Sequence, residues 1–363
     1  SGCNFNPGHK WGESLWFPTV HSEARLQGSW AHLDERFLEG RRRHILEEYA
    51  GISALNEKSA KILVVGAGFI GVEWVTELRH FFPKLQNTII DFLPQPLGPL
   101  PPAAAKYCKK YMQRNKIAQH YATGYPWGKS EEEVQAFWVK IGLPDRVDKE
   151  YVCTGVKASN YFMPEETLSK GGPGGGKWIL MDMTLAVETC EGNIWSADGE
   201  GRPRIYAVGD CNAGGIPPED PKAKPAEWPI PPIPKISYPG EEEAVIACKN
   251  IVKIDKLAYG KDDNAKKDLF GNLLKPATMH WPWGAGMFAT SLGPNDACFV
   301  LGANWEAKSG YTVVWGAPCA VQKEIIEASK VDECKNGMVG RVIWHFVHHT
   351  PVHLFGGGPR WGY

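Results

Sequence analysis

The chain has 363 residues, 43% hydrophobic and 22% charged, enough for two or three packed units with cores of their own. Forty Lys and Arg against 41 Asp and Glu leave a net charge of −1, so no basic surface advertises nucleic acid as a partner. Nine cysteines stand without a C-x-x-C or other tight pair, which argues against a disulfide framework, a zinc site or a dithiol redox pair.

Taken in chain order, the start SGCNFNPGHKWGESL lacks the basic region and apolar stretch of a signal peptide and is expected to be a processed or truncated end. Residues 25–50 place Leu33, Phe37, Leu38 and Ile45 at roughly helical spacing among many charges, which predicts one or two surface helices. From Lys61 the pattern alternates: strand KILVV, helix over 69–82, strand NTIID at 87–91, helix over 102–115, and a short strand near IAQHYA. Such alternation predicts a parallel sheet with crossover helices. Ser130 followed three residues later by Glu133 forms a capping box, opening a helix whose apolar face holds Val134, Phe137 and Trp138. EYVCTG is expected as a strand, and GGPGGG at 171–176 as a loop, because it leads into the β-like run KWILMDM and not into a helix.

RIYAVGDC at 204–211 reads as a buried strand ending in a turn, and eight prolines then fall between Pro217 and Pro234. Their density favours extended polyproline geometry in a rigid loop or docking surface. A helix over 237–254 is expected next, followed by β-like runs MFATSL, ACFVLG and YTVVWG and by two helices at 318–334 and 338–350. No apolar run reaches about eighteen residues, the length a membrane-spanning helix needs.

The strongest chemical signal is KILVVGAGFIGVEWVTEL. Gly66, Gly68 and Gly71, with Ala67, Phe69 and Ile70 between them, follow a strand and open a helix in the spacing G-x-G-x-x-G. The first glycine permits a tight turn, the second lets backbone approach a pyrophosphate, and the third lets helix and strand pack closely, while the helix dipole attracts phosphate. Asp91 ends the second strand twenty residues past Gly71, where a carboxylate accepts hydrogen bonds from an adenosine ribose and disfavours a 2′-phosphate. This combination favours NADH over NADPH. Glu73 stands in the first helical turn, where helix propensity alone makes it a surface charge. No G-x-S-x-G elbow, P-loop lysine or H-E-x-x-H is present, so hydrolase, NTPase and metalloprotease readings fall away.

The succession VVGAGFIGVE, EYVCTGVKASN, RIYAVGDC and PKISYPGEEEA resembles the flavin-dependent pyridine nucleotide oxidoreductases, among them type II NADH dehydrogenases and quinone reductases related to apoptosis-inducing factor. The resemblance extends over nearly the whole chain. It implies an α/β fold of two nested Rossmann-like dinucleotide-binding folds, with the first FAD half missing, and a C-terminal α+β region. Residues 1–55 would hold the end of the first FAD half and linker helices, 56–160 the NAD-binding domain with return strands to about 185, and 186–255 the second part of the FAD domain with a proline-rich insertion at 213–234. Residues 256–363 would form the C-terminal domain.

The same resemblance implies that Gly66, Gly68 and Gly71 hold the NADH pyrophosphate and Asp91 its ribose, and that Glu73 lies near the nicotinamide as a catalytic residue. Thr154 and Gly155, after Cys153, stand at the family's A-T-G crossover. Gly209 and Asp210 stand in its late FAD motif, and Lys235, Ile236 and Ser237 begin the helix that meets the isoalloxazine ring. The first glycine fingerprint, which cradles the FAD diphosphate in that family, has no counterpart here. That departure implies a fragment, a half supplied by another chain, or a degenerate relative.

Near the C-terminus Val321, Ile325, Ala328 and Val331 share one helical face, and Val339, Val342, Ile343, Phe346 and Val347 another. With Arg341, Trp344 and His345 beside it, the second stripe suits a helix lying in a membrane interface, or equally one docked on protein. His345, His348, His349 and His353 cluster here, but no carboxylate or cysteine completes a metal site. The expectation is a peripheral-membrane flavoenzyme of a mitochondrion or plastid that passes electrons from NADH through FAD to a quinone-like acceptor. The alternative is a non-catalytic accessory subunit of a larger respiratory or photosynthetic complex.

Overall fold

The structure is a computed structural model that describes residues 2–5, 15–18, 38–98, 100–155, 158, 160–172, 175–196, 202–213, 237–260, 266–268, 272–276, 286–303, 311–335 and 337–343. The chain divides into two units, residues 2–154 with 282–363, and residues 155–281.

In the first unit, β1 (Gly2–Phe5) and β2 (Leu15–Pro18) form an antiparallel pair. Helix α1 (Leu38–Glu57) leads into β3 (Lys61–Val65), α2 (Phe69–Phe81), β4 (Gln86–Ile90), α3 (Pro102–Arg114), β5 (Ala118–His120), α4 (Glu131–Lys140) and β6 (Lys149–Val152). The four strands make a parallel sheet in the order β5-β4-β3-β6, with Lys61 opposite Gln86 and Val65 opposite both Ile90 and Val152. Strand β3 is central, so its run Ile62 to Val65 is buried on both faces and carries no polar alternation. The predicted capping box forms at α4: the Glu133 N–H donates to Ser130 Oγ at 3.4 Å, and the Ser130 N–H to Glu133 Oε2 at 3.1 Å. Phe137 and Trp138 then pack with Leu63, Val65 and Ile90.

The C-terminal strands β7 (Gly286–Ser291), β8 (Ala297–Ala303) and β9 (Thr312–Trp315) form an antiparallel sheet in chain order. Helix α6 (Ala317–Cys334) follows. Because side chains alternate across a strand, Phe288, Thr290, Cys298 and Trp315 share one face, while Ala289, Ala297 and Phe299 share the other. The first face lies on the Rossmann helices: Phe288 stacks on Phe69 at 5.9 Å, and Trp315 stacks on Tyr107 at 5.0 Å. The second packs on Cys319 and Ala320 of α6. Helix α2 is therefore covered on two sides, and every residue from Gly71 to Leu78 is buried, Glu73, Thr76 and Glu77 included.

The second unit is built on isolated bridges. Ile179 pairs with Leu168 and Asn212, Met181 with Val187, and Ala186 with Tyr206. The strand expected over 204–211 does not form as a regular strand. Pro203 has no N–H to donate, and after one bridge at Tyr206 the chain turns at Gly209 (φ +74°) into a single 3-10 turn, Gly209–Cys211. Helix α5 (Ser237–Tyr259) runs five residues past its expected end. No helix among the described residues is long and apolar enough to cross a membrane.

Candidate functional site

The three fingerprint glycines meet three different environments. Gly66 has φ +102°, and a Cβ there would sit 2.7 Å from the Cys153 carbonyl oxygen, so the turn needs glycine on both counts. A Cβ at Gly71 would lie 1.8 Å from the Gly66 carbonyl oxygen, so the helix rests directly on the turn. Gly68 has φ −71° and ψ −169°, a conformation open to any residue, and a Cβ there would meet nothing within 4 Å. The fold itself does not need glycine at 68. Helix α2 begins at this point with no side-chain cap and no acidic residue in its first turn, leaving its N-terminus open to an anion.

Asp91 is buried just past the end of β4. Its Oδ2 accepts the Ala67 N–H at 2.5 Å, and its Oδ1 accepts the Leu93 N–H at 2.8 Å. The Leu97 N–H in turn donates to the Ala67 carbonyl at 2.8 Å, with Leu97 buried at φ +54°. Both polar groups of the Ala67 peptide are thus tied to the segment that follows β4. Each Asp91 oxygen keeps a further lone pair for a hydroxyl donor. The next strand end carries His120, which burial and then the Lys140 charge hold below the usual imidazole range.

Cys153 extends β6, its N–H donating to the Val65 carbonyl at 2.7 Å, and Thr154 and Gly155 follow as exposed residues, Gly155 at φ +67°. The glycine turn, Asp91 and Thr154 therefore gather at the carboxyl ends of β3, β4 and β6. The strand order changes direction between β3 and β6, and such a switch point is where open α/β sheets bind ligands.

Glu73 has partners that sequence reasoning did not include. Its Oε1 accepts the Ser291 N–H at 2.9 Å and Lys323 Nζ at 2.8 Å, joining α2 to β7 and α6. Burial, the largest single effect, lowers the pKa of Lys323, but the Glu73 charge and hydrogen bond together with the Glu327 and Glu77 charges outweigh it, and the net direction is up. One turn along, Glu77 is buried and its Oε2 has no hydrogen-bond partner among the described residues. Desolvation, then the neighbouring Glu73 charge, push the Glu77 pKa up to about 8. Helical spacing predicted neither burial, because the signal lies in a sheet more than 200 residues downstream.

In the second unit, a Cβ on Gly240 of α5 would sit 3.0 Å from Gly209 Cα, so the helix presses on the 209–211 turn. Buried Glu243 accepts from the Gly209 N–H and, at 2.8 Å, from Asn212 Nδ2, which fixes that turn. Asp210 is left exposed at the surface of the turn, free in geometry to accept hydroxyl donors. Ser237 is the first residue of α5, while Lys235 and Ile236 lie outside the described residues, as do Trp344 to His353.

A parallel α/β half-fold with an open glycine turn at its switch point defines a dinucleotide-binding protein class. The chain belongs to the pyridine nucleotide-disulphide oxidoreductase family, whose model matches residues 37–230. No curated protein gives a match in sequence. Among solved structures, the sulfide:quinone oxidoreductase of the hyperthermophilic bacterium Aquifex aeolicus is similar with a TM-score of 0.51 at 15% identity, over 81% of this chain and 63% of that one. The water-forming NADH oxidase of Lactobacillus brevis aligns at 15% identity and TM-score 0.41, over 68% of this chain and 44% of that one. A persulfide reductase from A. fulgidus aligns at 15% identity and TM-score 0.42, over 71% and 38%. The likeness to the Aquifex aeolicus enzyme describes the fold alone, and the chain spans about a third to two thirds of the length of the first structures it matches (36%, 50% and 63%).

Proposed function

We propose that the protein is a flavin-dependent NADH dehydrogenase that passes electrons from NADH through FAD to a quinone-like acceptor at a membrane surface. The observation that carries this reading is Gly68: its backbone would accept any side chain, so the open space above it suits a pyrophosphate approaching the α2 N-terminus. Gly66 and Gly71 set the turn, and Asp91, at the end of β4, favours a ribose hydroxyl over a 2′-phosphate. Thr154 borders the same turn through Cys153. FAD, when bound, supplies the ring that accepts hydride and hands electrons on. The Asp210 carboxylate would accept from its ribityl or ribose hydroxyls, on a turn held by Glu243 and Gly240.

An outward apolar face supports the membrane element of the proposal. Val321, Ile325, Ala328 and Val331 of α6 are exposed, and the helical segment 338–343 exposes Met338, Val339, Val342 and Ile343.

The test is NADH and NADPH titration of the purified full chain by tryptophan fluorescence, followed by FAD loading and NADH oxidation with a soluble quinone. Saturable NADH binding tighter than NADPH binding, lost in Gly68→Val, supports the reading. No NADH binding, or no flavin spectrum and no NADH oxidation after loading, sinks it. Vesicle co-sedimentation that survives Val321→Glu with Ile325→Glu would remove α6 from the membrane contact.

A further inference from the structure

We propose that the cleft between residues 202–206 and the C-terminal half of α5 binds a small monocarboxylic acid that also carries a hydroxyl or ammonium group. Each wall follows from its spacing. Arg202, Arg204 and Tyr206 occupy alternate positions, which puts side chains on one side of an extended run. Ile251, Ile254, Asp255, Ala258 and Tyr259 keep the three-and-four spacing of one helical face and line the opposite wall.

Hydrogen bonds anchor both walls. The Val187 N–H donates to the Ile205 carbonyl at 2.9 Å and the Ala207 N–H to the Leu185 carbonyl at 3.0 Å, on either side of Tyr206. Buried Asn250, next to the first cleft residue of α5, donates to the Thr184 carbonyl at 3.0 Å. The cleft has a volume of about 170 Å³. Pockets for drug-sized molecules begin at about 300 Å³, so this one suits a small metabolite and is too small for a dinucleotide. At about 1.5 Å of rise per residue it lies about 15 Å or more along α5 from Gly240, which presses on the Gly209–Cys211 turn, and is separate from the Asp210 site.

The lining selects the ligand. Arg202 and Arg204 are exposed and offer planar donor forks, and Arg204 Nη1 donates to the Tyr259 hydroxyl at 3.2 Å. The Tyr206 hydroxyl is buried and has no hydrogen-bond partner among the described residues. Burial, then the Asp182 and Asp255 charges, hold its pKa above the usual phenol range, so it stays a donor. Asp182 is engaged by its own turn, its Oδ1 accepting the Thr184 and Ala186 N–H groups and the Thr184 hydroxyl. A ligand carboxylate therefore meets two guanidinium groups and a phenol that needs an acceptor. Asp255 carries no ion pair among the described residues, and two arginines against one aspartate leave a charge of +1 in the cleft. A singly charged carboxylate matches that charge, whereas a phosphate dianion would face Asp255 and the negative end of the α5 dipole. Asp255 then accepts a hydroxyl or ammonium hydrogen of the same ligand, and Ile251, Ile254 and Ala258 cover its carbon atoms.

Equilibrium dialysis of the purified full chain with isotopically labelled lactate and alanine tests the proposal, with propionate and inorganic phosphate as competitors. Lactate through its hydroxyl, or alanine through its ammonium group, should saturate one site with a Kd of about 1 mM or tighter. Propionate, which has no donor for Asp255, should compete about tenfold less well, and phosphate should not compete. Arg204→Gln should weaken binding about tenfold and Tyr206→Phe about fivefold, with NADH affinity unchanged in both. No saturation by either probe at about ten times the expected Kd overturns the proposal. So does propionate or phosphate competing as well as the labelled acid, or binding that survives Arg202→Gln with Arg204→Gln. Tyr206→Phe removes one oxygen and keeps the ring, and the wild-type competition series decides the question even where an arginine variant fails to fold.

Discussion

The Asp91 carboxylate accepts the Ala67 N–H at 2.5 Å, so the acid just past the end of the second strand is also a structural part of the glycine turn. With the half-buried Leu93 N–H on its other oxygen, it satisfies two backbone donors, one of them fully buried. Asp91→Ala is expected to cost about 2–4 kcal/mol, the order of two such groups left unpaired. Asp91→Asn, which keeps one carbonyl acceptor, should cost less. Urea unfolding measures the difference, and a parallel NADH titration should show weaker binding in both folded variants.

Gly68 and Gly71 separate ligand from fold. Gly71→Ala drives a methyl to 1.8 Å from the Gly66 carbonyl oxygen and should destabilise the protein by about 1–3 kcal/mol, as overpacked sites do. Gly68→Ala places its methyl in open space at an ordinary φ and should leave stability unchanged or raise it by about 0.5 kcal/mol through the unfolded chain. Thermal melts should therefore rank Gly68→Ala at or above wild type, while NADH affinity falls.

Glu77 makes stability depend on pH. Its folded pKa of about 8 lies above the ordinary value of 4.5, so the folded state keeps a proton that the unfolded chain releases. This contribution is complete below pH 4.5 and is lost as pH rises through the folded value, with a limiting slope of about 1.4 kcal/mol per pH unit. Glu77→Gln imitates the protonated group. The urea midpoint of wild type should fall relative to that of the variant across this window, and parallel curves for the two would contradict the assignment.

The sequence placed Glu73 in the first turn of α2, but the helix starts at Phe69 and Glu73 falls just beyond that turn, so the question is whether this acid serves packing or chemistry. Glu73→Ala leaves Lys323 and the Ser291 N–H without their acceptor and should cost about 1–3 kcal/mol. Glu73→Gln keeps one acceptor, so NADH oxidation by the folded variant is expected to stay within about twofold of wild type. A lower kcat at unchanged KM would instead support the nicotinamide role that the family resemblance implies.

Where structure was written locally, the sequence was readable. Alternating strands and helices over 61–120, the Ser130 capping box and three glycines in fixed spacing all report on neighbours within a turn or two, and each formed as expected. The RIYAVGDC run misled because an apolar stretch does not disclose whether a partner strand continues beside it, and here the pairing ended at Tyr206. The buried side of α2 was unreadable for a different reason. Glu73, Thr76 and Glu77 obey the polar spacing of a solvated helix face, but residues 291–293 and 323 arrive from the far end of the chain to cover them.

The seating of the C-terminal sheet on α2 and α3 bears on how this chain can be divided. Cut before residue 282, the protein would lose the partners of Phe69, Glu73, Thr76 and Tyr107 together, and the helices flanking the glycine turn would turn a broad apolar and ionisable face to water. The dinucleotide fold is thus not an exchangeable cassette. Grafting it onto another protein would require carrying residues 282–363 with it or redesigning one whole side of two helices.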